Sequence, residues 1–152
     1  MELLGSRLDG RSGHAVGREL LARLCGGSLP EIRYTDRGKP YFADGKLHFS
    51  ISHTKNHAFC AVSSKNIGID AEETDRKVNL HLADTQLSPR EKARFDAAED
   101  KAAALLRLWV LKESYAKLTG RGLGGYLKET DFDPNDPRIQ IIDGCYVAVT
   151  EE

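Results

Sequence analysis

Residues 66–73 read Asn-Ile-Gly-Ile-Asp-Ala-Glu-Glu, and the interpretation of the whole chain starts from this stretch. Side chains repeat every two residues along an extended strand, so Asp70 and Glu72 are predicted to project from one face. The other face would carry the apolar side chains Ile67, Ile69 and Ala71. Two carboxylates aimed at one spot repel each other unless a cation lies between them, and such hard oxygen ligands suit Mg²⁺ or Mn²⁺. The stretch alone also fits a strand that ends in a solvated turn over Glu72–Asp75.

Two further strands are predicted just before this stretch. Residues 47–53 alternate apolar and polar side chains, which is typical of a half-buried strand with Ser50 and Ser52 on its polar face. Residues 58–63 form an apolar strand candidate, joined to the first by a hairpin turn. The middle of the chain is therefore predicted to form one small sheet whose last strand carries the paired acids. Shorter strands are predicted at residues 31–35, 128–132, 139–142 and 146–149.

Helices are predicted on both sides of this sheet. Residues 14–24 place leucines at helical spacing, with Ser12 as N-cap and a Gly-Gly pair as the stop signal. Residues 88–98 begin with Ser-Pro-Arg-Glu, which has a proline at the first helical position and a glutamate that completes a capping box. A longer helix is predicted over residues 100–119, ending at Gly120.

Composition is typical of one soluble globular domain spanning residues 1–152. The chain is 40% hydrophobic and 30% charged, and no apolar run reaches the roughly 20 residues needed to cross a bilayer. We expect a cytoplasmic protein without a membrane segment.

A net charge of −1 argues against a nucleic-acid partner, although basic residues are in excess before position 66 and acidic ones after it. Cys25, Cys60 and Cys145 lie too far apart for a CxxC site, so we expect buried thiols.

Several short patterns do not support a site by themselves. His53 and His57 are four apart but fall in a predicted hairpin and not a helix, so a zinc site is weakly supported. Ser52 and His53 are adjacent on a strand and face opposite ways, which argues against a nucleophile and its base. The glycine-rich residues 121–125 follow a helix and do not open one, unlike a phosphate-binding loop.

Three separated motifs carry a resemblance to a known family. The chain has Phe-Ser-Ile-Ser-His at 49–53, Gly-Ile-Asp-Ala-Glu at 68–72 and Trp-Val-Leu-Lys-Glu-Ser-Tyr-Ala-Lys at 109–117, which continues into Gly-Arg-Gly-Leu. With Gly-Lys-Pro at 38–40, they resemble the signature set of the 4′-phosphopantetheinyl transferases, and their spacing is that of the larger, two-halved class. The resemblance covers about residues 31–123. Without it, Glu113 and Lys117 would be an ordinary i,i+4 surface ion pair.

This resemblance implies an α+β fold with pseudo-two-fold symmetry, in which small antiparallel sheets pack against helices. Residues 1–65 would form a shortened N-terminal lobe, and residues 66–152 a C-terminal lobe that carries the metal-binding acids. Because only residues 1–30 precede the first predicted strand, part of the usual first sheet should be missing, and a second copy of the chain could cover the exposed edge.

The implied activity is that of a holo-[acyl-carrier-protein] synthase. Such enzymes transfer the 4′-phosphopantetheine arm of coenzyme A to a serine of an apo acyl or peptidyl carrier protein and release adenosine 3′,5′-bisphosphate. By the matching motifs, Asp70, Glu72 and Glu113 would bind Mg²⁺, with Mn²⁺ as a substitute. Glu113 would also take the serine proton, directly or through water, and Lys117 would neutralise the pyrophosphate.

The upstream motifs imply the coenzyme A site. Arg33, Lys39, Ser52 and His53 would surround the nucleotide and its 3′-phosphate. Lys112 fits a phosphate contact and a surface lysine equally well. Glu73, on the opposite face from the paired acids, should be dispensable for Mg²⁺ binding.

Two other functions use the same residues. A non-catalytic module of this fold would bind coenzyme A or a carrier protein without reaction. An unrelated Mg²⁺-dependent nucleotide hydrolase would use the same acids without a carrier surface. The sequence does not distinguish fatty-acid, polyketide and nonribosomal peptide carriers.

Overall fold

The computed structural model describes residues 1–122 and 128–152, and within these ranges the chain forms eight strands and four helices. The first half contains β1 (Glu2–Arg7), α1 (Gly13–Leu24), β2 (Ile32–Tyr34), β3 (Pro40–Phe42), β4 (His48–His53) and β5 (His57–Ser63). The second half contains β6 (Ile67–Glu73), α2 (Leu82–Gln86), α3 (Pro89–Ala97), α4 (Lys101–Thr119), β7 (Ile139–Ile142) and β8 (Cys145–Glu151). All strand pairs are antiparallel, which confirms the α+β prediction.

The strands form two three-stranded sheets and one small hairpin. One sheet has the order β1-β5-β4, the other has the order β6-β8-β7, and β2 pairs with β3. The prediction that β6 extends the sheet of β4 and β5 is therefore wrong, since β6 pairs with β8 from the end of the chain. Each half of the molecule has its own sheet.

The first sheet is covered by α1. Ser12 caps this helix by accepting a hydrogen bond from Ala15 N, as predicted. The buried side of the helix packs on the sheet in one apolar cluster, which includes Val16, Leu20, Leu21, Phe42, Phe49 and Cys60. Strand β1 was not predicted, because its sequence has neither β-branched residues nor a clear alternation. The first strand thus begins at Glu2, and not near residue 31.

The two sheets meet along the edge strands β4 and β6. Ser50 Oγ accepts a hydrogen bond from Ile69 N at 3.0 Å, and Ser52 Oγ accepts one from Ala71 N at 3.1 Å. Both serines are buried, so the strand predicted to be half-buried is covered on its polar face as well at these two positions. The two edge strands are thus joined through hydrogen bonds to serine side chains, where two strands of one sheet would be joined by backbone hydrogen bonds.

Helix α4 packs directly on β6 at Gly68. A Cβ atom at this position would lie 1.9 Å from Ser114 O and 2.6 Å from Leu118 N, both of which belong to the helix backbone. Only glycine allows so close an approach. The contact fixes how far α4 lies from the strand that carries the paired acids.

We expect Gly68→Ala to destabilise the protein by about 1 to 3 kcal/mol, because the methyl group must push α4 away from β6. Urea denaturation followed by circular dichroism measures this change. Gly26→Ala is the comparison, because nothing lies within 4 Å of the Cβ position of Gly26 and the change removes no packing contact. Gly26 has a φ of +81°, so its replacement reports only the backbone cost of losing a glycine. A native-like midpoint for Gly68→Ala would show that the helix can shift without cost.

The ends of α3 and α4 and the segment that follows α4 complete the second half of the chain. The capping box of Ser88 and Glu91 at the start of α3 is present, and α4 ends at Gly120 with a φ of 68°. The prediction of a strand at residues 128–132 is wrong, since this segment contains no strand. Thr130 Oγ1 and Phe132 N instead donate hydrogen bonds to Glu91.

Residues 123–125 of the glycine-rich segment lie outside the described residues. Among the helices described, none has the length and apolar character required to cross a bilayer.

Candidate active site

A cavity of about 270 Å³ lies where the two halves meet. The loop at residues 37–40 and strand β4 line one side, and the last two turns of α4 line the other. Side chains from both halves reach it, among them Lys39, Ser50, Glu113 and Lys117. The cavity therefore brings together residues that lie far apart in the sequence.

Asp70 is the most enclosed acid beside this cavity. Its Oδ1 accepts hydrogen bonds from Ser52 Oγ at 3.0 Å and from Lys117 Nζ at 2.9 Å. Burial raises the pKa of Asp70, whereas the nearby Lys117 charge and these hydrogen bonds oppose the increase. Lys117 Nζ also donates to Ile69 O at 3.0 Å, so the lysine bridges α4 and the strand that carries the acid.

Glu72 and Glu113 are the other two acids near Asp70, but among the described residues these three side chains do not bring one ligand oxygen each to within 4.8 Å of one another. Glu72 lies two residues after Asp70, on the same face of β6, and forms an ion pair with Arg76. Burial raises the pKa of Glu113 to about 7, and the charges of Asp70 and Glu72 contribute to this increase while Lys117 opposes it. The pKa of Glu72 is also raised, mainly by burial and despite the charge of Arg76. The charge of Asp70 thus adds to the raised pKa of both Glu72 and Glu113, as a neighbouring carboxylate does.

This donor set fits a divalent cation with hard-ligand preference. All three groups offer carboxylate oxygens, which suit Mg²⁺ and Mn²⁺ better than softer metals. Burial raises the pKa of Glu113 most and the charges of Asp70 and Glu72 raise it further, and a cation among these acids would oppose both effects. Asp70, Glu72 and Glu113 are the residues that would hold such an ion, after Asp70 and Glu72 turn from their ion pairs with Lys117 and Arg76.

We expect Glu113→Gln to be more stable than the native protein at pH 8 in a chelator, by up to about 3 kcal/mol. The folded carboxyl has a pKa of about 7 and the unfolded one about 4.5. Between these values the folded state keeps a proton that the unfolded state releases, so native stability falls as pH rises through this window. Thermal denaturation at pH 4.5 and pH 8 should show a difference between the two proteins only at the higher pH. Equal stability at both pH values would contradict the raised pKa.

The residues predicted to bind coenzyme A lie in different surroundings. Lys39 Nζ donates to Asn66 Oδ1 and to Leu118 O, both at 2.7 Å, at the wall of the cavity. His53 is exposed at the end of β4, where its ring lies against the backbone of Gly13 at the start of α1.

Two of these residues face elsewhere. The hydroxyl of Ser52 is engaged with Asp70 and with the backbone of β6. Arg33 lies on the separate β2–β3 hairpin, pairs with Glu31 at 2.9 Å and is absent from the described cavity lining. The structure therefore brings Lys39 to the cavity wall but leaves Arg33 apart from it.

Both interpretations of Lys112 are wrong. Its side chain is fully buried, and Nζ lies 2.6 Å from Glu91 Oε1 and 2.6 Å from Thr130 Oγ1. Glu91 is equally buried and also accepts hydrogen bonds from Ser88 N and Phe132 N. Lys112 thus joins α4 to Glu91, the capping-box residue at the start of α3. Its position next to Glu113 in the sequence does not indicate this partner.

Sequence reasoning also missed Ser50 and Asn66. Ser50 lines the cavity and holds Ile69 N, while Asn66 holds Lys39 and donates to Leu118 O at 2.9 Å. Ser50 lies within the motif at residues 49–53, and Asn66 lies just before the motif at residues 68–72. The motifs themselves do not show that either residue supports the site. Their role depends on contacts between elements that are distant in sequence.

A family model described as the 4′-phosphopantetheinyl transferase superfamily matches residues 66–145. The chain belongs to this superfamily. The matched region contains Asp70, Glu72, Glu113 and Lys117, so these side chains lie within the family's own sequence pattern.

Similar members of the superfamily come from several bacteria. The 4′-phosphopantetheinyl transferase HetI of Nostoc sp. is 36% identical over 122 residues, which cover 71% of this chain and 52% of HetI. Sfp of Bacillus subtilis is 32% identical over 73% of this chain and 51% of its own length, and AcpT of Salmonella typhimurium is 34% identical over 72% and 59%. The chain thus spans about half the length of these relatives.

Proposed function

We propose that this superfamily member transfers the 4′-phosphopantetheine arm of coenzyme A to a serine hydroxyl of an apo acyl or peptidyl carrier protein. The observation that carries the proposal is the meeting of Asp70, Glu113 and Lys117 beside one cavity between the two halves. Three relatives named above are themselves 4′-phosphopantetheinyl transferases, which supports the reaction class. Coenzyme A and carrier proteins are cytoplasmic molecules, so we propose the same compartment for this protein.

In the proposed reaction the serine oxygen forms a bond to the β-phosphorus of coenzyme A. The bond from that phosphorus to the bridging oxygen breaks, and adenosine 3′,5′-bisphosphate leaves. When bound, Mg²⁺ supplies charge stabilisation at the phosphate oxygens. Glu113 accepts the serine proton, directly or through water, because it is the carboxylate that lines the cavity.

The lysines of the site orient and neutralise the substrate. Lys117 Nζ is held by Asp70 and by two backbone oxygens, Ile51 O and Ile69 O, which keeps its charge in a fixed position beside the cavity. We propose that it faces the pyrophosphate. Lys39 is held in a similar way at the cavity wall and is proposed to contact the nucleotide end, together with His53.

The test is a transfer assay with a purified apo carrier protein, coenzyme A and Mg²⁺, in which mass spectrometry detects the added arm. We expect a holo carrier with the native protein and no transfer with Asp70→Ala. A carrier that stays apo while coenzyme A binds intact would favour a binding module. Cleavage of coenzyme A without a carrier would favour a nucleotide hydrolase.

A further inference from the structure

A second cluster of metal-ligating side chains lies on the other face of β6. It consists of His57 at the start of β5, Glu73 at the end of β6 and Cys145 at the start of β8. All three side chains are largely shielded from solvent, with His57 8% and Glu73 15% exposed and Cys145 fully buried. Nothing in the proposed transfer reaction uses these groups.

The separations within the cluster are close to those around one tetrahedral metal ion, although His57 and Cys145 approach different oxygens of Glu73. His57 Nδ1 lies 3.1 Å from Glu73 Oε1 and 3.5 Å from Cys145 Sγ, and Cys145 Sγ lies 3.6 Å from Glu73 Oε2. A tetrahedral Zn²⁺ ion with ordinary bond lengths to nitrogen, oxygen and sulfur places such pairs of ligand atoms roughly 3.3 to 3.6 Å apart. An ion could therefore enter with small side-chain adjustments.

The groups behind these ligands also fit a metal site. His57 Nε2 lies 3.2 Å from Asp143 Oδ2, so a histidine that binds a metal through Nδ1 can donate its other N–H to a carboxylate. Thr54 Oγ1 donates to Glu73 Oε1 at 2.6 Å and Asn56 N donates at 3.2 Å, which orients the glutamate. Such supporting hydrogen bonds are typical of metal ligands.

The surroundings of the thiol are unusual for a buried cysteine. Cys145 faces a carboxylate and an imidazole, and burial together with the charge of Glu73 raises its pKa to about 12. Metal binding would displace the thiol proton to solvent, since metals bind the thiolate.

We infer that His57, Glu73 and Cys145 bind one Zn²⁺ ion, with a water molecule as the fourth ligand. A thiolate, an imidazole and a carboxylate favour Zn²⁺ over Mg²⁺. The ion would link β5 of the first sheet to β6 and β8 of the second, so its role is to hold the two halves together. His57 also borders a surface cavity of about 540 Å³, between Arg7 and Lys55, so this ligand lies next to solvent.

The test uses tag-free, metal-stripped protein titrated with Co²⁺ in the presence of excess Mg²⁺. Binding by Cys145 produces a thiolate-to-cobalt absorption band in the near ultraviolet, which Zn²⁺ then removes by competition. We expect this band in the native protein at one equivalent of Co²⁺ and its loss in Cys145→Ser. Cys60→Ser, which changes another buried cysteine, should keep the band.

Asp143→Asn provides a second variant in case Cys145→Ser fails to fold. It keeps every ligand and should weaken Co²⁺ and Zn²⁺ binding about 10- to 100-fold, with an unchanged melting temperature in a chelator. A native protein without the cobalt band would overturn the inference. So would a band that persists in Cys145→Ser, or metal affinity that Asp143→Asn leaves unchanged.

Discussion

Replacement of Glu113 by glutamine is expected to lower phosphopantetheine transfer about 10²- to 10⁴-fold, the range that a general base contributes. Glutamine keeps the size of the side chain but cannot accept the serine proton, and it is a weaker ligand for Mg²⁺. Glu113 lies in the last turns of α4, beside the cavity and within the field of Asp70 and Glu72. Initial rates of holo carrier formation, followed by mass spectrometry, measure the loss.

The matched control is Glu99→Gln, which changes an exposed glutamate just before α4. We expect it to keep the native rate. Coenzyme A binding should also survive in Glu113→Gln, because the loss concerns the chemical step. A Glu113→Gln variant with native transfer rates would show that another group takes the proton.

Replacement of Lys112 by alanine is expected to destabilise the fold by about 3 to 5 kcal/mol, as the removal of one partner from a buried ion pair does. The change leaves the Glu91 carboxylate buried without its lysine partner. It also removes the link between α4 and Thr130, so the segment that follows α4 loses an anchor. Urea denaturation monitored by circular dichroism gives the free energy of unfolding.

The double variant Lys112→Met with Glu91→Gln removes both charges, while the glutamine oxygen can still accept one of the hydrogen bonds that Ser88 N and Phe132 N donate to Glu91. Removing both charges of a buried pair leaves no unpaired charge behind. The double variant should therefore be more stable than Lys112→Ala. The surface comparison is Lys92→Ala, which removes an exposed lysine from an i,i+4 pair on α3 and should cost less than about 1 kcal/mol of stability. If Lys112→Ala and Lys92→Ala cost the same, the buried pair contributes little.

Local signals predicted α1, α3 and α4, missed α2, and predicted the sheets only in part. Helices α1 and α3 have capping residues that hydrogen-bond to the backbone three positions later, and a short sequence window contains both partners. The alternation in β6 correctly placed Asp70 and Glu73 on opposite faces, because side-chain period depends on the strand alone. It could not show that β6 pairs with β8, since a strand's neighbour is chosen by contacts across the whole chain.

The same limit applies to the candidate site. Asp70, Glu113 and Lys117 could be chosen from motifs, because a family pattern marks them. Lys112 could not be assigned, since its partner Glu91 lies 21 residues earlier on another helix. The cluster of His57, Glu73 and Cys145 forms no sequence motif, and only the folded sheets bring these residues together.

The serine hydroxyls between β4 and β6 tie the junction of the two halves to the site itself. Ser50 and Ser52 accept hydrogen bonds from the backbone of β6, and both border the site, the first in the cavity wall and the second on Asp70. A substitution at either serine would therefore leave a buried backbone N–H group of β6 without its acceptor and would change the site at the same time.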